Sequence, residues 1–432
     1  MKIIKLGEIA RIDISNVDKK TKEHETPVIL CNFVDVYYNW AITTSMVPKL
    51  MVATANSNQI ERFSIHKGQV AITKDSETRD DIGVPTYIAD DIPHAVLGYH
   101  CALITPNENV LNGKYLNALM HSAYAKKYFA ANASGSGQRY TLTNDIIAGF
   151  PVLLPDLQTQ EQIGDIFSNI DRKIEINTAI NAELEDMAKT MYDYWFLQFE
   201  FPDENGKPYK SSGGKMVYNE ELKREIPEGW SVATLKGKYE IKKGISYTSD
   251  EIKSGQGTPM INLASVDRNR NYQSEELKYY NGKISKDCIL HSGDLLIACT
   301  DLTRNADIVG SPILVPDDDK NYTYSMDMAK LIVSTPELDE KYLYTTLRTE
   351  FYHNYIKRWA SGTNVLHLNL DGLDWYTIWF PPIELQKKYG EIVTKIHKRK
   401  SQIIKENQEL ASLRDFLLPL LMNGQVGFKE KQ

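Results

Sequence analysis

Residues 150–166 read FPVLLPDLQTQEQIGDI, and residues 379–392 read WFPPIELQKKYGEI. In each stretch a strand-like apolar run ends in proline and a polar bridge carrying a glutamine follows (Gln160, Gln386). A glycine, Gly164 or Gly390, then opens a run of helical periodicity. The two glycines stand 226 residues apart, so the chain has to be tested as an internal repeat before any single element is assigned.

The repeat extends upstream. YLNALMHSAYAKKYFAANASGSGQRYTL (115–142) matches YLYTTLRTEFYHNYIKRWASGTNVLHL (342–368), pairing Tyr115 with Tyr342 and Ala133-Ser134-Gly135 with Ala360-Ser361-Gly362. GQVAITKDSETRDDIGVP (68–85) matches GDLLIACTDLTRNADIVGSP (293–312), with Arg79 and Arg304 in the same place, and KLGEIARIDIS (5–15) matches LKGKYEIKKGIS (235–246). The chain is two copies of one unit of roughly 225 residues.

A length of 432 residues fits two or more domains. No apolar run reaches the ~18 residues of a membrane span and no apolar signal segment opens the chain, so a cytoplasmic protein is expected. Cys31, Cys101, Cys288 and Cys299 have no CxxC spacing and read as reduced core residues without metal or disulfide. The formal charge of −7 argues against indiscriminate coating of nucleic acid while allowing a specific reader.

Two kinds of segment alternate. Residues 1–154 and 230–381 carry short β-branched and aromatic runs, such as VAIT (70–73) and MAKLIVSTP (328–336), with helical stretches at 112–131 and 339–358. Each is a mixed α/β domain. Residues 155–200 and 382–425 instead carry apolar stripes in steps of three and four. The first is Ile163, Ile166, Ile170, Ile174, Ile180, Leu184, Met187 and Met191. The second includes Tyr389, Ile396, Ile403, Leu410, Leu413 and Leu417, and Asn177 and Asn407 fall near the seam. Two helices of ~35 residues, each about 50 Å long, are predicted to pair antiparallel. A connector (201–229) and a tail (426–432) complete an α+β chain with a pseudo-twofold internal repeat.

Two similar heads on a helical spacer suit duplex DNA, whose groove faces recur about every 34 Å. With SGSGQRYTL, its copy SGTNVLHLN, the exits into the helices, and a connector ending in Ile226-Pro227-Glu228-Gly229-Trp230, nearly the whole chain resembles the specificity subunit of Type I restriction-modification systems. The N-terminus departs from the pattern in lacking its own Pro-x-Gly-Trp opening. The resemblance implies two target recognition domains on two coiled-coil helices, binding double-stranded DNA at a bipartite site. It also implies two adenine-N6 methyltransferase subunits as partners, joined by motor-nuclease subunits for restriction, with S-adenosylmethionine, ATP and Mg held by those partners and no cofactor on this chain. The sequence carries no phosphate loop, methyltransferase motif or metal constellation, which agrees with a non-catalytic chain. Glu240-Ile-Lys242 and Glu251-Ile-Lys253 read as surface charge pairs. A Type IIB-like recognition subunit and a bridging adaptor that does not bind DNA remain the alternatives.

The Ser-Gly stretches are the first candidates for DNA contact: Ser134, Gly135, Ser136, Gln138, Arg139 and Tyr140 in one copy, and Ser361, Gly362, Thr363, Asn364 and His367 in the other. They combine backbone free to approach a phosphate with side chains able to read base edges. A Gly-capped helix end is the plainer account of the same residues. The loops after the buried strands come second, with Lys74, Asp75, Ser76, Thr78 and Arg79 against Thr300, Asp301, Thr303, Arg304 and Asn305. For Arg79 and Arg304 an intramolecular carboxylate pair is the competing account. Tyr37 to Trp40 and Asp267 to Arg270 follow as weaker candidates. The aromatic run Tyr192, Tyr194, Trp195, Phe196, Phe199 and Phe201 is read as core before partner surface.

Overall fold

The computed structural model describes residues 2–137, 139–220, 222–253 and 255–428, with Ser136 described by its backbone. The chain forms two compact units, Met1–Ile176 with Asn407–Gln432, and Asn177–Glu406. Each unit therefore combines one globular region with a stretch of both long helices, Leu157–Tyr192 and Ile383–Met422.

In the first unit Lys2–Lys5 pairs antiparallel with Pro151–Leu154. A five-stranded sheet centres on Cys101–Pro106 and Val70–Thr73. A second sheet joins Thr26–Cys31 antiparallel to Met51–Ala55 and parallel to Ala95–Leu97. The second unit repeats the plan. Ser231–Thr234 pairs with Thr377–Phe380, Met328–Val333 and Leu295–Ala298 centre a four-stranded sheet, and Thr258–Ile261 lies between Lys278–Tyr280 and Thr323–Tyr324. Val70–Thr73 and Leu295–Ala298 are buried at all positions, as befits runs apolar on both faces.

The helical stretches at 112–131 and 339–358 are not continuous. Each is two helices, Gly113–His121 and Ala123–Asn132 in one unit, Glu340–Leu347 and Glu350–Ile356 in the other. Ser122 and Thr349 take extended backbone, and their side chains accept from the N–H groups of Ala125 and Tyr352, so each starts a new helix.

The repeated sentence of the sequence has one physical job. Gln160 is buried, accepts from the Asn112 N–H at 2.9 Å and donates to Val110 and Pro155 carbonyls. Gln386 is buried, accepts from the Asp339 N–H at 2.9 Å and donates to Glu337 and Pro381 carbonyls. Each ties the proline turn to the start of the helix capped by Asn112 or Asp339. Tyr115 and Tyr342 add the same bond, from their hydroxyls to the carbonyls of Leu153 and Trp379.

Within the second unit the long helices run antiparallel. The Tyr389 hydroxyl donates to the Ala188 carbonyl, Lys400 pairs with Glu185, and Asn177 donates to Glu406 at 2.9 Å. In the first unit Leu421 and Met422 share a core with Ile163 and Phe167. The stripe is not all seam, however, since Ile180, Met187 and Leu413 are exposed. Each helix divides its buried face between its partner and a globular region: Leu385, Tyr389 and Val393 lie in one core with Leu343 and Phe380. The first helix ends in a π-turn, Asp193–Leu197, where Gln198 N–H reaches Asp193. Tyr192, Phe196, Phe199 and Phe201 are buried with Trp230 there, while Tyr194 is exposed.

Candidate nucleic-acid interface

The Ser-Gly stretches are β-hairpins, not Gly-capped helix ends. In the first unit Ser134–Ser136 pairs with Arg139–Thr141, and in the second Ala360–Ser361 pairs with Leu366–Leu368. The preceding helix ends at Ala133 in extended backbone. Glycine is required in both hairpins. At Gly135 (φ 133°) a Cβ would meet the Arg139 carbonyl oxygen at 2.2 Å, and at Gly362 (φ 143°) the Val365 carbonyl oxygen at 1.9 Å.

Each hairpin is completed by the loop following the buried strand. Asp75–Ser76 pairs with Tyr140 and Thr141, and Thr300–Asp301 pairs with Leu366 and His367. Two candidate sets that lie about 65 residues apart in sequence thus form one three-stranded sheet per unit. Ser134, Arg139, Thr363, Asn364 and His367 are exposed on it. Gln138 lies outside the described residues.

The first sheet carries a dense polar cluster. Asp75 receives Lys74 Nζ at 2.9 Å, lies 2.6 Å from His100 Nδ1, and pairs with Arg139 Nη2 at 3.3 Å. Burial would raise the Asp75 pKa, but hydrogen bonds from Lys74, Thr141 and His100 hold it well below the usual carboxylate range. Lys74 also lies over the Tyr99 ring at 5.2 Å. An open cleft of about 380 Å³ is bounded by Lys74, Asp75, Tyr99, Ser134, Arg139 and Thr141.

Among the described residues Arg79 makes no carboxylate pair. Its guanidinium donates to the Ala133 carbonyl at 3.4 Å and sits 5.4 Å from the Tyr140 ring centre, bracing the hairpin, while Ser76 accepts from the Thr78 N–H. In the second unit Asp301 is buried and accepts the N–H groups of Thr303, Ile308 and Val309, which shapes the loop that exposes Arg304 and Asn305. Thr303 Oγ1 accepts from the Asp307 N–H, and Thr300 donates to Asp327 at 3.2 Å.

The weaker candidates are in part engaged within the fold, with the Tyr37 hydroxyl donating to Asp81 at 2.6 Å. Trp40 stacks on His121 with ring centres 4.0 Å apart, under the Arg414 guanidinium. Burial and the nearby Arg414 charge push His121 down to about 3. Arg270 pairs with Glu350, and Arg348 donates to its carbonyl oxygen. Tyr38 and Asn269 remain on the surface. Glu251 closes a capping box with Thr248, and Lys242 pairs with Asp287 at 2.8 Å. Among the described residues no His, Cys, Asp or Glu group is placed to hold a metal, and no helix is long and apolar enough to cross a membrane. Tyr99 and His100 are not among the sequence candidates; the polar pair just before the buried strand Cys101–Pro106 was the available signal.

Two α+β units, each presenting a hairpin sheet and sharing two long helices, define a tandem recognition architecture. Known proteins agree. The Type I restriction modification DNA specificity domain matches residues 1–186 and 227–412, and the chain belongs to that family, carrying the domain twice. The chain is 24% identical over 429 residues to the Type I restriction enzyme HindI specificity subunit of Haemophilus influenzae, covering 84% of this chain and 87% of that one. It is 24% identical over 337 residues to the MjaIX specificity subunit of Methanocaldococcus jannaschii, covering 76% and 72%. The crystal structure of a Type I restriction-modification S subunit from M. genitalium superposes with a TM-score of 0.57 at 14% identity, covering 100% of this chain and 96% of that one, which is a likeness of fold.

Proposed function

We propose that this chain is the DNA specificity subunit of a Type I restriction-modification complex in the cytoplasm, non-catalytic by itself, reading a bipartite duplex target with one hairpin sheet per unit. The observation that carries this reading is the repeated sheet itself: one frame, held by Gly135 and Gly362, with different exposed side chains on it. A shared frame with divergent tips suits two different half-sites. The DNA-contacting set is Lys74, Ser76, Ser134, Gly135, Ser136, Gln138, Arg139 and Tyr140, with Arg79 as brace, against Thr300, Thr303, Arg304, Asn305, Ser361, Gly362, Thr363, Asn364 and His367.

The long helices supply the scaffold. Ile180 and Met187 on the first helix and Tyr194 in the π-turn that follows it are exposed at intervals of seven, and Leu413 and Phe416 are exposed three residues apart on the second helix. Apolar side chains left in water at heptad spacing favour a helical partner surface, and two methyltransferase subunits are the partners this reading assigns. Those subunits would hold S-adenosylmethionine and methylate adenine at N6, and motor-nuclease subunits would bring ATP and Mg. The test is co-expression with the adjacent methyltransferase followed by single-molecule mapping of N6-methyladenine. Two short defined parts around a fixed gap support the reading, and a stable complex that leaves DNA unmethylated overturns it.

A further inference from the structure

The two hairpin sheets can be superimposed residue by residue through their backbone hydrogen bonds. Lys74 N–H donates to the His100 carbonyl as Cys299 N–H donates to Asp327, and Leu142 N–H donates to Lys74 as Leu368 N–H donates to Cys299. The carbonyl facing the hairpin glycine, Gly135 or Gly362, belongs to Arg139 in one unit and Val365 in the other. Position by position, Lys74, Asp75, His100 and Arg139 are thus replaced by Cys299, Thr300, Asp327 and Val365. The first sheet has a tethered guanidinium where the second has an aliphatic side chain.

The tether is specific. The Arg139 side chain is 59% exposed, yet its Nη2 donates to Asp75 Oδ2 at 3.3 Å, the same carboxylate oxygen that His100 Nδ1 engages at 2.6 Å. His100 reaches that place with a left-handed backbone (φ 75°), uncommon for histidine, and its ring lies edge-on to Tyr99 at 4.0 Å. Asp75 is 8% exposed and already engaged by Lys74, so it is no base reader itself. One edge of the Arg139 fork is held and the rest points to solvent over the cleft.

We infer that Arg139 reads the O6/N7 edge of a guanine in the half-site taken by the first unit, with Asp75 and His100 as positioning residues, and that the second unit makes no such contact from the equivalent position, Val365. The inference rests on the hairpins being the DNA-reading elements. A planar fork held in one orientation matches the two acceptors of guanine. A phosphate contact asks only for charge, which a mobile lysine supplies and which pairing with Asp75 diminishes.

The experiment uses the full chain with its methyltransferase partners and maps the methylated motif for the parent, Arg139→Ala, Asp75→Asn, Asp75→Glu and a chain with residues 134–141 replaced by Gly-Ser. A G·C pair in one half-site should lose its identity in Arg139→Ala, with discrimination falling roughly 5- to 150-fold at that position while the other half-site stays intact. Asp75→Asn should relax the same position, and Asp75→Glu should restore it. Uniform weakening at all positions in Arg139→Ala, with a salt slope smaller by about one, would make Arg139 a phosphate contact and overturn the inference. An unchanged motif in Asp75→Asn together with a lowered melting temperature would reduce Asp75 to a structural role and overturn its part. An unchanged half-site after hairpin replacement would instead remove the hairpin from DNA reading altogether.

Discussion

At the scale of single residues, the glutamine that drew attention in the sequence holds each unit together. Gln160 makes three hydrogen bonds at a site closed to water, and truncation strands one N–H and two carbonyls. Each buried group left unpaired costs about 1–3 kcal/mol. Gln160→Ala should destabilise the first unit by about 3 kcal/mol, read by hydrogen exchange at Asn112–Tyr115, with the second unit unmoved. Gln386→Ala should do the converse, and equal loss of protection in both units from either change would show that the latch is not local. These glutamines were visible in one sequence because the repeat marked them. His100 was not, because its role depends on a partner 25 residues away and on a backbone angle that no periodicity reports.

At the scale of elements, the strands and both long helices were legible from alternation and three-four spacing, whereas the Ser-Gly stretches gave no sign of their hairpin pairing. The docking of Asp75–Ser76 onto the hairpin was not legible either, since non-local pairing leaves no one-dimensional trace. The break at Ser122 was missed because Ser in an apolar helical run signals a cap only when its backbone is seen to be extended. Where helices meet the second globular region, Glu185 is clamped by Arg348 at 2.8 Å and by Lys400. Burial acts to raise the Glu185 pKa, but the two cations overcome it and hold the group down at about 2. A carboxyl depressed from 4.5 contributes stability that is whole above 4.5 and lost as pH falls towards 2. That contribution is at most about 3 kcal/mol. The second unit should therefore melt earlier across that window, and Glu185→Gln should flatten the acid limb while costing about 3 kcal/mol at pH 7, where two cations lose their partner. An acid limb of equal steepness in the variant would rule Glu185 out as its source. The exposed helix residues make a separate prediction. Ile180→Glu with Met187→Glu should leave the circular dichroism and melting of the isolated chain within about 0.5 kcal/mol per site of the parent and should abolish co-purification of a methyltransferase subunit; retained co-purification would place the partner on another surface.

At the scale of the whole molecule, both long helices run through the two compact units, the boundary falling between Ile176 and Asn177 on one and between Glu406 and Asn407 on the other. The sequence showed this continuity as unbroken stripes, though it could not show that each unit would take a segment of both helices. Continuity through both units suits a ruler for the gap between half-sites, set by the rise of about 1.5 Å per residue. Deleting four residues from one helix alone shifts its facing positions by about one turn and should either unfold a unit or alter the gap unpredictably. Removing one heptad from each helix around residues 176 and 407 preserves the facing pattern and shortens both by about 10 Å, close to three base pairs of duplex. The modified motif of that double deletion should keep both half-site sequences and lose about three base pairs of gap. If the gap stays at its parental length while both half-sites are still methylated, helix length does not set the spacing, and the measure must lie in the partner subunits.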